Sequence, residues 1–150
     1  MRVLLQRVTS ASVEVEGRPT GKISQGLLLF AGIEASDTAE DLHWLAGKVL
    51  RLRIFADENG AMNRSVQDIR GELLVVSQFT LHASTKKGNR PSFLKAAPPN
   101  IAETLFNEFC SMLSLQMDRP VQRGVFGAHM TVKLVNDGPV TIWIDSKERE

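Results

Sequence analysis

Side chains of the types that carry out nucleophilic hydrolysis are grouped near the middle of the chain. Ser77, Thr80 and His82 follow an apolar run that begins after Glu72. If that run is a strand and continues to His82, Thr80 and His82 share one face of it, where an imidazole could accept the proton of a hydroxyl. The chain has no G-x-S-x-G motif, and no acid that would orient the histidine is evident. These residues leave a Ser/Thr–His hydrolase open, beside the ordinary interpretation that such hydroxyls satisfy backbone groups at a strand end.

Residues 136–141, with the sequence Asn-Asp-Gly-Pro-Val-Thr, form a second candidate site. Asn, Asp and Gly tolerate unusual backbone dihedrals and Pro restricts its own, so the default prediction is a turn between two strands. Only about one X-Pro bond in twenty is cis in folded proteins, which leaves the isomer of this bond open. Gly138 and Pro139 nevertheless expose carbonyl acceptors with no glycine side chain and no proline N–H beside them. Such a dipeptide could accept hydrogen bonds from an ammonium group.

Neither a metal nor a nucleotide cofactor is indicated. His43, His82 and His129 lie far apart, without the H-x-x-x-H spacing or the cysteine pair of a zinc site. The chain contains no P-loop and no G-x-G-x-x-G motif. The single cysteine, Cys110, lies beside an apolar helical stripe, where we expect it to pack. We therefore expect a protein that works without a metal or a cofactor.

The net charge of +1 conceals an uneven distribution of charged residues. A uniformly basic nucleic-acid-binding protein is not indicated by this total. Between Glu72 and Glu103, however, there is no acidic residue, and this stretch contains Lys86, Lys87, Arg90 and Lys95. A second basic segment contains Arg119, Arg123 and Lys133, while acids gather at Glu34, Asp37, Glu40 and Asp41.

The order of the predicted strands and helices, which position these residues, indicates an α+β fold. A chain of 150 residues corresponds to one domain, spanning residues 1–150. Residues 3–8, the alternating residues 11–16 and residues 22–33 predict an antiparallel meander with a turn at residues 17–21. Further strands are predicted at residues 72–80, 122–127, 131–136 and 140–145. With two principal helices, this order predicts a mainly antiparallel sheet or an open barrel.

The two helices are predicted from their start signals. Asp37 followed by Glu40 predicts the start of the first helix, and Pro98-Pro99 predicts the start of the second. The apolar stripe of the second helix is predicted to contain Ile101, Leu105, Phe109, Met112 and Leu113. The longest apolar run, residues 26–33, is too short for a membrane span, so we expect a soluble, cytoplasmic protein.

Three segments carry a resemblance to a known family. Residues 75–81 (Val-Val-Ser-Gln-Phe-Thr-Leu), residues 88–93 (Gly-Asn-Arg-Pro-Ser-Phe) and residues 136–141 closely resemble characteristic segments of the D-aminoacyl-tRNA deacylases, the D-Tyr-tRNA(Tyr) deacylase family. Further matches lie at residues 6–8, 53–55 and 62–63 and at Met130. Their order and spacing along nearly the whole chain make the resemblance specific.

The resemblance implies a cytosolic homodimer that hydrolyses the ester between a D-amino acid and tRNA, without metal, cofactor, membrane or DNA partner. It assigns the catalytic pocket to Ser77, Gln78, Phe79 and Thr80. It further implies that the bond between Gly138 and Pro139 is cis, that these residues enter the partner subunit's pocket and select substrate chirality, and that Arg7 braces their loop. His82 matches no functional position of the family. Next to the pocket motif, the basic stretch is placed to hold the phosphates of the tRNA acceptor end through Lys86, Lys87, Arg90 and Lys95.

The reaction itself allows two mechanisms. An aminoacyl ester is already activated, so backbone N–H groups of Phe79 and Thr80 that stabilise the oxyanion, with help from the adjacent ribose hydroxyl, could suffice. Thr80 acting as a nucleophile is the competing mechanism. Two other functions stay open: an editing hydrolase for mischarged L-aminoacyl-tRNA, and a non-catalytic dimeric tRNA-binding module. Glycyl-tRNA, which has no side chain to exclude, is expected to be a substrate of the deacylase.

Overall fold

The computed structural model describes residues 1–149, which form two helices, one 3-10 turn and eight strands. The helices are α1 (Ala39–Arg51) and α2 (Pro99–Met117), and the 3-10 turn is Phe79–His82. The strands are β1 (Arg2–Val15), β2 (Arg18–Ile23), β3 (Gly26–Gly32), β4 (Phe55–Ala56), β5 (Met62–Arg64), β6 (Glu72–Ser77), β7 (Gln122–Arg123) and β8 (Thr131–Asp145).

The main sheet is mixed, with the order β2-β1-β3-β6-β7, and β8 pairs with β1. Strands β2, β3 and β8 run antiparallel to β1, whereas β6 runs parallel to both β3 and β7. The prediction of an α+β fold is confirmed, and the sheet is mixed, because three of its strand pairings are antiparallel and two are parallel. Crossovers that contain α1 and α2 lead into β6 and β7, and a helical crossover returns the chain parallel to the strand it left. The sheet is nearly closed, because Gly21 of β2 lies so near β7 that a Cβ there would be 3.1 Å from the carbonyl oxygen of Arg123.

The first hairpin is tighter than its sequence predicts. The turn consists of Glu16 and Gly17, with φ of 51° and 74°, so that Arg18 already belongs to β2 and pairs with Val15. Two positive φ angles are typical of the two-residue turns whose twist matches that of paired strands. The predicted turn at residues 17–21 is therefore too long and begins one residue too late.

Residues 131–136 and 140–145, predicted as two strands joined by a turn, belong to the single strand β8. Asn136 pairs with Val8 and Thr141 pairs with Gln6, so only Arg7 lies opposite the four residues between them. Both halves of β8 thus pair with β1. Residues 137–140 form a bulge of four residues opposite Arg7 rather than a hairpin turn. The strand predicted at residues 122–127 shortens to β7.

Helix α1 begins one capping residue later than its sequence predicts. Thr38 is the N-cap, and its hydroxyl and backbone N–H both contact the carboxylate of Asp41. Asp37, predicted as the start, instead accepts hydrogen bonds from the N–H of Glu34 and from the amino group of Met1. A capping residue satisfies one of the orphan N–H groups of the first turn, which stabilises a helix by about 1 kcal/mol.

Asp41 makes the protein sensitive to acid. Burial alone would raise the pKa of this carboxyl, but hydrogen bonds from Lys147, Thr38 and Ser146 outweigh burial and hold the pKa well below its usual range. Because the folded pKa is lower than the unfolded value of about 3.9, the stabilisation is complete above that pH and is lost as the pH falls below it. We expect urea denaturation of Asp41→Asn to show a flatter pH dependence below about pH 4 than that of the unmodified protein. Glu40→Gln, at an exposed acid, is the control, and parallel curves for both variants would contradict this account.

Helix α2 begins as predicted, with Pro99 in its first turn, but its buried face is rotated. Ile101, predicted to be buried, is 41% exposed. The buried residues of α2 are Ala102, Phe106, Phe109, Cys110, Leu113 and Met117. The helix packs against α1 and the sheet. The face that it buries is shifted by about one residue toward the C-terminus from the apolar stripe predicted from the sequence. The packing role of Cys110 is confirmed, since it is buried and burial raises its pKa to about 12.

The sheet has apolar side chains on both faces. Leu27 and Leu29 of β3 belong to the larger core with the two helices, whereas Leu28 belongs to a second cluster on the opposite face. A strand buried on both sides has no polar alternation, which is why this part of the sequence is continuously apolar. Within residues 1–149, neither helix has the length and apolarity needed to cross a membrane.

Candidate active site

The peptide segment after β6 forms the first candidate site. Strand β6 ends at Ser77, and the N–H of Gln78 donates to the carbonyl of Ala31 at 2.8 Å, the last hydrogen bond before the chain leaves the sheet. Gln78 then adopts φ −146° and ψ 83°, and the 3-10 turn begins at Phe79. The prediction that the strand continues to Thr80 is wrong. As a result, Phe79 and Thr80 are exposed at the end of the sheet.

Phe79 and Thr80 are the first two residues of the 3-10 turn, and both residues are exposed. The first residues of a helical turn have no partner within that turn, because the acceptors they would need precede it. Neither N–H donates to an acceptor among residues 1–149. Two free donors on consecutive residues are the arrangement that stabilises the oxyanion of a tetrahedral intermediate in acyl transfer.

The hydroxyl of Thr80 is not paired with a histidine. It accepts a hydrogen bond from the side-chain amide of Gln78. The ring of His82 is buried and packs against Gly32, and within residues 1–149 neither of its nitrogens has a hydrogen-bond partner. The pairing of Thr80 with His82 that a continued strand would have produced is therefore wrong. A 3-10 turn has about three residues per turn, which directs the side chains of residues 80 and 82 to different sides.

The basic loop is attached directly to this site. Ser84 and Ser92 close residues 84–92 into a loop through reciprocal backbone hydrogen bonds of 2.7 and 2.9 Å. The ring of Phe93 packs edge-on against Phe79, with 5.1 Å between the ring centroids. All four basic side chains of this region are exposed, and none is ion-paired with a residue in the range 1–149; they are Lys86, Lys87, Arg90 and Lys95.

The bulge of β8 carries the Gly-Pro segment. The peptide bond between Gly138 and Pro139 is cis, both residues are exposed, and Gly138 has φ +116°. The side-chain amide of Asn136 closes the neck of the bulge by donating to the carbonyls of Arg7 and Val140, at 3.0 and 3.1 Å. The bulge is thus tied to Arg7 on the opposite strand β1.

Arg7 lies against this loop. Its Nε is 3.0 Å from the Asp137 carboxylate and 3.3 Å from the Asp137 carbonyl oxygen, and its Nη1 donates to the carbonyl of Ile54. The guanidinium also lies over the ring of Phe55, at 6.0 Å from the centroid. A Cβ added to Gly138 would be only 2.8 Å from Arg7 Nη2, so the loop and the arginine are in close contact. Arg7 is therefore placed where it restrains the position of residues 137–139.

The two candidate sites lie apart within one chain. Arg7 is level with Leu27 of β3, which is level with Leu73 of β6, whereas the first site follows Ser77. Ser77 lies four residue steps along β6 from Leu73, a distance of roughly 13 Å. The structure brings Ser77–Thr80 together with the basic loop, and Arg7 together with Gly138 and Pro139, but it does not join these two groups.

Sequence reasoning missed residues that position the site. Asn136 and Phe93 were part of recognised segments, but neither was expected to hold a loop in place. The signal for Asn136 was its place before Asp-Gly, because Asn side chains commonly bond to nearby backbone groups at turns. Among residues 1–149, no three His, Cys, Asp or Glu side chains lie close enough to hold a metal ion.

Comparisons with known proteins find relatives that match nearly the whole chain. A D-aminoacyl-tRNA deacylase of Flavobacterium johnsoniae is 57% identical, and one of Parabacteroides distasonis is 59% identical, each over the full length of both chains. A solved structure of a protein described as c-Myc DNA Unwinding Element Binding Protein is 41% identical and superposes with a TM-score of 0.91, covering 97% of this chain and 98% of that one. A probable eukaryotic D-amino acid tRNA deacylase, at 19% identity, 95% coverage of this chain, 97% of that one and a TM-score of 0.80, shares the fold. A family model described as D-Tyr-tRNA(Tyr) deacylase matches residues 4–145, and the chain belongs to that family.

Proposed function

We propose that this member of the family, a D-aminoacyl-tRNA deacylase, hydrolyses the ester of D-aminoacyl-tRNA and of glycyl-tRNA in a site completed by a second copy of the chain. Residues 1–150 act as one catalytic domain, in the cytoplasm, where aminoacyl-tRNA is used. The observation that carries this proposal is the pair of free N–H groups at Phe79 and Thr80 beside an exposed basic loop. The loop binds the phosphates of the acceptor end, and the N–H groups bind the ester oxygen.

The chemistry requires little from side chains. A water oxygen attacks the ester carbonyl carbon, and the carbonyl oxygen becomes an oxyanion held by Phe79 and Thr80. The bond to the ribose oxygen then breaks, and that oxygen takes up a proton to leave the free tRNA hydroxyl. The neighbouring ribose hydroxyl positions the water and relays its proton to the departing ribose oxygen, a role that RNA can supply and DNA cannot. Thr80 is a poor nucleophile here, because its oxygen contacts Gln78 and no base.

The second copy supplies the Gly-Pro loop. In one chain that loop is displaced from the oxyanion site by roughly 13 Å along the strands, so it does not reach its own chain's ester-binding groups. Strand β8, which carries the loop, forms an edge of the sheet and exposes Val135 and Trp143. Exposed apolar side chains on a sheet edge favour pairing with another chain. In the dimer, the carbonyls of Gly138 and Pro139 hold the substrate ammonium group.

Chirality follows from holding the substrate at these two places. With the ammonium and ester oxygen both fixed, the α-carbon has two remaining directions, of which one faces the Gly-Pro backbone. In a D-amino acid the hydrogen occupies that direction, whereas in an L-amino acid the side chain would collide with the loop. Glycine has a hydrogen in both directions and is accepted. The pocket therefore rejects by exclusion and accepts many D-amino acids.

Deacylation assays on matched substrates test this function. We expect hydrolysis of D-Tyr-, D-Ala- and glycyl-tRNA, and rates at least about 100-fold lower for L-Tyr- and L-Ala-tRNA, because a Cβ cannot be accommodated against backbone. The comparison of D-Ala with L-Ala is the most stringent, since the two differ only in where one methyl points. Equal rates for this pair would contradict the geometry. Preference for L-aminoacyl-tRNA would favour an editing hydrolase, and binding without hydrolysis would favour a tRNA-binding module.

A further inference from the structure

A second concave surface lies at the end of α2, outside the candidate active site. It is an open cleft of about 560 Å³ between the last turns of the helix and the connection to β7. Its polar lining includes the exposed Ser111, and its charged lining consists of Asp118, Arg119 and Arg123. We refer to it as the arginine cleft.

The two arginines lack anionic partners. Arg119 donates from Nη1 to the carbonyl of Arg70 at 3.0 Å, but its Nε is buried and has no acceptor in the described part of the chain. Arg123 donates only to the amide oxygen of Asn107, at 3.3 Å. Neither guanidinium is within ion-pair distance of a carboxylate in residues 1–149, Asp118 included. A buried guanidinium N–H without an acceptor is unfavourable unless a ligand supplies one.

The charge of Arg123 acts on the wall of the cleft. Burial raises the pKa of Cys110, and the positive charge of Arg123 opposes that rise. Cys110 lines the same cleft, whose charged lining consists of two arginines and one aspartate. Guanidinium groups bind phosphate and carboxylate oxygens through two parallel N–H donors, and phosphate is the anion that a nucleic acid supplies.

The arginine cleft follows the C-terminal part of α2 away from the candidate active site. Helix α2 follows the basic loop, starts beside Ile33, which accepts a hydrogen bond from Ala97, and has 19 residues. It therefore ends about 28 Å away, next to Arg70. Arg123 lies on β7, level with Val75 of the strand that leads to the active site. Arg123 is thus only about 7 Å along the strand from Ser77, whereas the far end of α2 is about 28 Å from its start, and a nucleic acid whose end is bound at Phe79 can follow this path with its backbone phosphates.

We propose that the arginine cleft binds a backbone phosphate in the acceptor stem of the tRNA whose aminoacylated end occupies the active site. This inference rests on the proposed function for the identity of the RNA. The cleft then contributes to affinity and orientation at a distance from the reacting ester. Its contacts are with the RNA backbone, so they are independent of sequence.

Ser111→Glu tests the cleft by adding a negative charge at an exposed position, with Ser111→Gln as the neutral control. Arg123→Gln removes a positive charge, with Arg18→Gln, at the first hairpin, as its control. We expect Ser111→Glu and Arg123→Gln to weaken the binding of uncharged tRNA by about tenfold and to reduce the slope of log affinity against log salt by about one. Both controls should bind as the unmodified protein does.

Kinetics on two substrates complete the test. For D-Tyr-tRNA, the two cleft variants should raise KM with kcat unchanged, while for D-Tyr esterified to the terminal trinucleotide both parameters should stay unchanged. Equal effects on both substrates, or unchanged tRNA binding, would overturn the proposal. If inorganic phosphate at constant ionic strength displaces no tRNA and the variants bind tRNA normally, the cleft is not part of the RNA site. Loss of the proposed function is distinguishable, because the unmodified protein would then bind tRNA but hydrolyse neither substrate.

Discussion

We expect Phe79→Pro to lower kcat for a D-aminoacyl-tRNA by about 10²- to 10³-fold, the usual effect of removing one oxyanion donor. Proline has no N–H, so the substitution removes a donor that the structure leaves free at the start of the 3-10 turn. The first position of a helical turn accepts proline, and the extended φ of −146° at Gln78 is compatible with a following proline. The fold is therefore retained, and the measurement is single-turnover deacylation with thermal unfolding as a check.

Phe79→Ala separates the N–H from the ring. It keeps the donor but removes the contact with Phe93, so it should alter KM through the basic loop and reduce kcat far less than proline does. Thr80→Ala also keeps its backbone N–H and should retain substantial activity, whereas a tRNA without the terminal 2′-hydroxyl should react much more slowly. If Phe79→Ala and Phe79→Pro have equal kcat, the N–H is not the oxyanion donor. A trapped acyl ester on Thr80, or complete loss of turnover in Thr80→Ala, would establish the covalent mechanism instead.

Gly138→Ala is the second substitution with a large expected effect. Gly138 has φ +116°, a region that other residues rarely adopt, and a Cβ there would lie 2.8 Å from Arg7 Nη2. The loop must shift, and a displacement of about 1 Å in a positioning group lowers the rate by about 100-fold. We expect this loss in the deacylation of D-Tyr-tRNA. Gly60→Ala, at an exposed turn where φ is +81° and an added Cβ would meet nothing within 4 Å, should have little effect on the rate.

Mixed dimers show whether the loop acts across the subunit interface. In a dimer of Gly138→Ala and Phe79→Pro chains, one of the two sites combines an unmodified Gly-Pro loop with an unmodified 3-10 turn. Random exchange of equal amounts should restore about a quarter of the unmodified activity, although each variant alone is nearly inactive. Sedimentation should give about twice the chain mass of 16.6 kDa. No recovery on mixing, or full activity in a monomer, would contradict a shared site.

Local chemistry in the sequence determined several of the elements and the segments by which the family is recognised. The apolar run before Ser77 predicts β6, Pro98-Pro99 predicts the start of α2, and the acid-free stretch predicts an exposed basic loop. These signals depend on a residue and its near neighbours: which dihedrals it permits, which caps it supplies and which side chains repeat at the period of a helix or strand. The same local segments were sufficient to identify the family, since their order along the chain is specific.

Pairings between distant parts of the chain decided the rest. No residue near positions 137–140 indicates that both flanking strands pair with β1. Because they do, the predicted turn is instead a bulge held by Arg7 and Asn136. The parallel pairing of β6 follows from where its crossover returns, and the one-residue rotation of α2 follows from the shape of the core that it covers. The separation of the Gly-Pro loop from the 3-10 turn likewise follows from the register in which β1, β3 and β6 pair. Register and packing are set by the burial of apolar surface over the whole molecule, and therefore only the tertiary structure decides which residues share a site.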